Sequence, residues 1–242
     1  MNSFHFHVIT NGDSERKKST MECFESLGIP FEFHMFEKHP SNGKLGCFLS
    51  HIKLYEYALS NKMEYICIAE DNITQTENDI VKQSKELISF INDKKKWKII
   101  ILGGWFVPFT TCSPTVYETL YKTNSIHGTT CYIIHKRLYD NILKIYKKHI
   151  NEHIDYFIMS ESFNKAYIVN PFMFRRNNTI PTTNSYFLNS VVDMYHYINC
   201  SSRMTRGWSF FSKYYKFVIY LCILILLILL FIIYIIYIKW YS

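Results

Sequence analysis

Apolar residues along this chain switch repeatedly between two spacings. Residues 4–10 (FHFHVIT) follow the two-residue period of a strand. Asp13-Ser14 then offers an N-cap for a helix with apolar positions at Met21, Phe24 and Leu27, closed by Gly28. Pro30 restarts an extended segment over 31–36, after which Phe48, Leu49, Ile52, Tyr55 and Leu59 mark a helix over 46–59. Residues 65–69 (YICIA) are apolar at every position, as in a strand buried on both faces of a parallel sheet. A helix over 79–91 leads to a strand over 97–102 ending at Gly103-Gly104; an irregular stretch with Pro108 and Pro114 then gives way to a strand over 129–135 and a helix over 136–149. Such alternation predicts an α/β fold, a Rossmann-like mixed, mostly parallel sheet flanked by helices.

A pattern of another kind closes the sequence. Residues 217–238 (FVIYLCILILLILLFIIYIIYI) are unbroken apolar chain, and at about 1.5 Å per residue a helix of this length spans roughly 33 Å, enough for a hydrocarbon core of about 30 Å. The expected organisation is a folded domain over 1–188, a linker over 189–216, a transmembrane helix over 217–238 and a short tail over 239–242. No secretory apolar region forms before Asn11-Gly12-Asp13; Arg203, Arg206, Lys213 and Lys216 precede the span and Lys239 follows it. This predicts a single-pass, C-terminally anchored membrane protein with its folded domain in the cytosol.

Composition narrows the field. With 48% hydrophobic and 19% charged residues, 8 Gly and 6 Pro, the chain is neither disordered nor collagen-like. The net charge of +7 is spread along the sequence, which argues against a nucleic-acid partner. Seven cysteines, an odd number without a C-x-x-C pair, form no secreted framework and read as thiols in a reducing compartment. Asn72-Ile73-Thr74, Asn177-Asn178-Thr179 and Asn199-Cys200-Ser201 are glycosylation sequons that a cytosolic domain would leave unused.

Candidate chemistry concentrates where the most apolar strand stops. Residues 65–69 run directly into Glu70-Asp71-Asn72, and ligands in open α/β sheets sit outside the carboxyl ends of strands. Two carboxylates and an amide are hard oxygen donors suited to Mn²⁺ or Mg²⁺ shared with a diphosphate, and the same residues equally suit a plain turn. His149 and His153 stand four apart without the H-E-x-x-H order, so zinc is disfavoured. His5 and His7 read as ordinary strand positions, Lys94-Lys95-Lys96 as a solvated turn, and Trp105, Phe106 and Phe109 as core aromatics that could also stack on a sugar or base.

The segments Gly43-Lys44-Leu45-Gly46-Cys47-Phe48-Leu49-Ser50-His51, Tyr55 to Leu59 and Ile66 to Asn72 together resemble glycosyltransferase family 25, which includes bacterial lipooligosaccharide galactosyltransferases and collagen galactosyltransferases. The family's hallmark is a G-x-x-G-C-x-x-S-H helix start followed by an apolar strand ending in E-D-D. The likeness continues, in order, through the opening strand and Arg16, residues 99–104, residues 128–134, His153-Ile154-Asp155 and Pro171, covering roughly 4–186.

The resemblance implies a GT-A-type domain that transfers galactose or glucose from a UDP-sugar to an acceptor hydroxyl with inversion, using Mn²⁺ or Mg²⁺. It implies that Glu70, Asp71 and Asn72 form the metal and nucleotide-sugar motif, with Asp71 catalytic. Gly46, Ser50, His51 and Arg16 would face the donor, with His51 equally suited to capping or packing, and Asp155 would serve as general base or acceptor-orienting acid. Two positions depart from the pattern: Asn72 replaces the third acid and removes one negative charge, and His153 replaces a proline. The acceptor would be a glycan, a lipid-linked glycan or a protein, and a cytosolic domain makes collagen a poor candidate. The alternatives are a degenerate transferase acting as a membrane scaffold, or a metal-dependent hydrolase built on Glu70 and Asp71.

Overall fold

Polar caps fix where the helices begin. In the computed structural model, which describes residues 4–76, 78–93, 96–105, 112–124 and 127–177, β1 (Phe6–Thr10) leads to Asp13, whose carboxylate accepts the Arg16 N–H at 3.0 Å and starts α1 (Ser14–Ser26). After β2 (Phe31–Met35), the Asn42 side chain accepts the Leu45 N–H at 3.0 Å. It thereby starts α2 (Gly43–Ser60) three residues before the apolar spacing alone predicts. Next come β3 (Tyr65–Glu70), β4 (Ile73–Gln75) and α3 (Ile80–Asn92), which Asp79 caps. Strands β5 (Ile99–Trp105), β6 (Cys112–Pro114), β7 (Leu120–Thr123) and β8 (His127–His135) precede α4 (Lys136–Ile145). A 3-10 turn at Tyr146–Lys148, α5 (Ile154–Glu161), β9 (Ala166–Val169) and β10 (Phe174–Arg176) complete the described chain.

The main sheet has the order β2-β1-β3-β8-β5-β9-β7-β6. Pairs β1/β2, β1/β3 and β5/β9 are parallel, while β8 runs antiparallel to both β3 and β5 and β7 antiparallel to β9 and β6. Six of the eight strands therefore point one way, with β7 and β8 reversed, which is the mixed, mostly parallel sheet expected. Strand alternation divides the core into two layers. Ile66, Ile68, Ile99, Ile101, Tyr132 and Ile134 pack against α2, α4 and α5. On the other face Cys67, Ala69, Ile100, Leu102, Cys131 and Ile133 pack with α1 and α3. Helices thus cover both faces.

Several features differ from the sequence expectation. The helix over 136–149 stops at Ile145 and tightens into the 3-10 turn. Strand β5 continues through Gly103-Gly104 with register shifts on either side of Gly103. The reason is a crossing. The Met173 N–H donates to the Leu102 carbonyl at 2.9 Å, and a Cβ on Gly103 would lie 2.7 Å from the Phe174 carbonyl oxygen. A residue without a side chain lets β10 lie over the sheet here, paired antiparallel with β4. Among the cysteines, Cys23, Cys67 and Cys131 are buried thiols and Cys47 an exposed one, whereas Cys112 is disulfide-bonded and departs from the thiol expectation. No helix among the described residues is long and apolar enough to cross a membrane. The run 217–238, the linker 189–216, the tail 239–242, and Lys94, Lys95, Phe106 and Phe109 lie outside the described residues.

Candidate active site

Strand β3 ends at Glu70, and Asp71-Asn72 turn the chain into β4. Helix α1 grips this turn: the Thr20 hydroxyl donates to the Glu70 carbonyl at 3.4 Å and accepts the Ile73 N–H at 3.2 Å, and the Ser19 hydroxyl donates to the Ile73 carbonyl at 3.0 Å. From the far side the Asn177 N–H donates to the Asn72 carbonyl at 2.7 Å. Arg16, in the first turn of α1, donates from Nε and Nη2 to a single oxygen, Oδ1 of Asp71, both at 2.7 Å, and both residues are buried. Oδ2 of Asp71 and both polar side-chain atoms of Asn72 are buried with no hydrogen-bond partner among the described residues.

Because β8 is antiparallel to β3, its beginning lies beside the end of β3. There the Gly128 N–H donates to Oδ2 of Asp155 at 3.0 Å, while the Tyr156 N–H donates to Oδ1 at 3.0 Å. Asp155 is the second residue of α5, where the helix end favours a carboxylate. Glu70 reports the convergence of these parts. Enclosure by protein pushes its carboxyl above the usual range, opposed by the Arg176 and Arg16 guanidiniums and reinforced by Asp71 and Asp155. Cys47, in the first turn of α2, is reached by solvent yet enclosed enough that desolvation, then Glu70 and Asp155, push its thiol up to about 12. Solvent access combined with dense surroundings marks a cleft, walled by the end of β3 and the beginnings of α2, α5 and β8.

The helix-start signature divides between this cleft and the core. A Cβ on Gly46 would lie 3.1 Å from both Cβ and N of His39, so the turn before α2 packs closely against the helix here. Ser50 donates to the Gly46 carbonyl at 2.8 Å within the helix. His51 is fully buried, its Nδ1 2.6 Å from the Tyr132 hydroxyl, which is 2.7 Å from that of Tyr55. Burial pushes its pKa down to about 3, which keeps the ring neutral, and its Nε2 is buried without a hydrogen-bond partner among the described residues.

The family model for glycosyltransferase family 25 (LPS biosynthesis protein) matches residues 34–158, just over half of the chain. The chain belongs to glycosyltransferase family 25. A proposed glycosyltransferase of Haemophilus influenzae (strain ATCC 51907 / DSM 11121 / KW20 / Rd) is 34% identical over 151 residues. That alignment covers 52% of this chain and 53% of the relative, so the chain spans about half the length of the curated relative it matches. Among solved structures, a glycosyltransferase involved in the glycosylation of the major capsid of PBCV-1 is 12% identical, with a TM-score of 0.45 over 78% of this chain and 98% of that one. A protein from STIV is 10% identical, with a TM-score of 0.47 over 69% of this chain and 81% of that one.

The matched stretch of the chain carries the α2 signature, Glu70-Asp71-Asn72 and Asp155. Arg16 and Arg176 enter the site from outside it. Arg176 and Cys47 are the site residues that motif reading passes over. Arg176 sits on a three-residue strand with no pattern of its own, and Cys47 lay within a quoted motif without a role. At the departure from proline, His153 is the residue before α5 and makes no side-chain cap, its ring set edgewise to Tyr156. His149 pairs with Glu152 at 2.7 Å and stacks on Phe157, so the two histidines form no metal pair. Asn72 is fully buried, which closes its sequon in the folded chain.

Proposed function

We propose that this family 25 glycosyltransferase is a GT-A-type hexosyltransferase that moves galactose or glucose from a UDP-sugar to a hydroxyl of a glycan, lipid-linked glycan or protein, with inversion. The observation that carries the reading is the meeting of Glu70, Asp71 and Asp155 with the Arg16 and Arg176 guanidiniums at the carboxyl end of β3. In this reading Asp155 is the general base. Two backbone N–H groups hold its carboxylate in one orientation, and it takes the proton of the acceptor hydroxyl. The acceptor oxygen bonds to the anomeric carbon on the face opposite the diphosphate, as the bond from that carbon to UDP breaks. Arg176, whose guanidinium acts on Glu70 at the same strand end, is the cation assigned here to the leaving diphosphate.

The donor set also fits a divalent cation, Mn²⁺ or Mg²⁺. Glu70, Oδ2 of Asp71 and Oδ1 of Asn72 are hard oxygens, and the last two lack hydrogen-bond partners among the described residues. Such a cation, when bound, offsets charge on the departing UDP. The apolar run 217–238 supports a membrane-face location for the activity.

The test is UDP release by the full chain with Mn²⁺ and a panel of nucleotide sugars. One donor is expected to give release that chelation abolishes. Asp155→Asn should lower turnover by about 10²-fold or more while sparing donor binding, and Asp71→Ala should lose both. Folded protein that neither binds nor cleaves any donor would overturn the reading. One feature favours a second reading, a transferase fold kept for binding alone: Asn72 stands where the family has an acid, buried with both polar side-chain atoms unpaired among the described residues. If Asn72→Asp converts an inert protein into a transferase, that second reading holds.

A further inference from the structure

Strands β1 and β2 form one edge of the sheet, and their parallel register sets His7 beside Glu32 and Ile9 beside His34. His7, Glu32 and His34 therefore project from the same face, the one that α2 covers with Tyr57. Three of their atoms converge: His7 Nδ1 lies 2.8 Å from Oε1 of Glu32, His34 Nε2 lies 2.8 Å from the same oxygen, and the two nitrogens are 3.0 Å apart. His5, exposed just before β1, approaches two of the three, with ligand atoms of His5, His7 and Glu32 all within 4.8 Å of one another.

Protons serve this arrangement poorly. Each neutral imidazole carries one N–H. If both rings point theirs at the carboxylate, the N–N approach of 3.0 Å brings two like dipoles together; if one ring donates to the other, a nitrogen is left facing the carboxylate oxygen without a proton between them. A single cation held by all three atoms, out of their plane and with the donors opening slightly from these separations, satisfies them at once. The rings need lose no net proton, because each N–H shifts to the other nitrogen.

We infer that His5, His7, Glu32 and His34 form a binding site for Zn²⁺ that pins the edge strand β2 to β1, one strand removed from the cleft at β3. Three imidazoles and one carboxylate are the donor set of a tetrahedral first-row transition metal, and oxygen-seeking Mg²⁺ or Ca²⁺ would be excluded. The inference is independent of the donor sugar and of the metal proposed at Glu70.

The experiment uses the full chain stripped with chelator and titrated with Zn²⁺, and in parallel with Co²⁺ as a spectroscopic probe. The expected result is one equivalent bound with the visible absorption of tetrahedral Co²⁺ and a rise in Tm of roughly 5–10 °C at a hundred times Kd. Binding should persist in Asp71→Ala, which separates this site from the cleft. It should weaken by more than about 100-fold in His34→Gln and in His5→Asn, both conservative changes at partly exposed positions. Should either variant fail to fold, X-ray absorption of the Zn²⁺-loaded wild-type chain decides, since at least two imidazoles must appear in the metal shell. No equivalent bound, a band that survives both histidine variants, or a shell without imidazole would overturn the inference.

Discussion

Arg16 and Asp71 hold each other in a place where neither would be tolerated alone. The pair is buried at both ends, and the second carboxylate oxygen of Asp71 is buried without a hydrogen-bond partner among the described residues. Removing one member of such a pair leaves an uncompensated charge, so Arg16→Ala should cost about 3–5 kcal/mol in chemical denaturation, far beyond an exposed arginine. The double change Arg16→Met with Asp71→Leu should recover much of that loss. His7 makes a different prediction. Its folded pKa of about 4 lies below the ordinary histidine value of 6.5 through burial, with Glu32 opposing and His34 and His5 assisting, and Tyr57 packed over it. As pH falls below 6.5 the unfolded chain takes the proton first, so stability is constant above that value and declines between 6.5 and 4. In chelator the His7 share of the loss should approach about 3 kcal/mol, read by urea unfolding of the wild type against His7→Phe at pH 7 and pH 4, with buried His51 adding its own loss to both. At this scale the sequence was partly legible. Glu70, Asp71 and Asp155 could be named from a motif, whereas His34 and Glu32 could not be joined to His5 and His7, because pairing of two strands leaves no mark in local spacing.

The elements tell a similar story with different causes. Helices α1, α2 and α3 announce themselves through caps and apolar spacing, and β3 through its continuous hydrophobicity. Short strands do not: β4, β6, β7, β9 and β10 have three or four residues each, too few for a period to emerge. Yet β10 carries Arg176 to the cleft, and its position depends on Gly103. Gly103→Ala would press a Cβ against the Phe174 carbonyl oxygen and the Cys131 side chain. Backbone oxygen cannot move aside cheaply, so the variant should lose about 1–3 kcal/mol. It should also weaken donor binding through displaced Arg176, a double effect that stability and equilibrium binding measurements would resolve.

For the whole molecule, an α/β sheet with helices on both faces followed from alternation alone, and the direction of most strands followed from their hydrophobic runs. The place of β8 did not. It reads as one more strand in a parallel series, but it runs reversed between β3 and β5, and this reversal brings Gly128 and the start of α5 to the end of β3. Asp155 was legible as a motif residue, and its proximity to Glu70 was not.

That inserted strand also dictates an order of events on the ribosome. Strands β1, β2 and β3 are synthesised as one parallel block, and β5 emerges later with no neighbour to join it, because the strand that bridges them ends only at His135. Until then the nascent chain presents a bare edge on β3 and both sides of β5, apolar and able to pair with another chain. The growing polypeptide is thus most prone to association in the interval between these strands; the arrival of β8 closes the β3 edge and one side of β5 in a single event, and β9 covers the other side later.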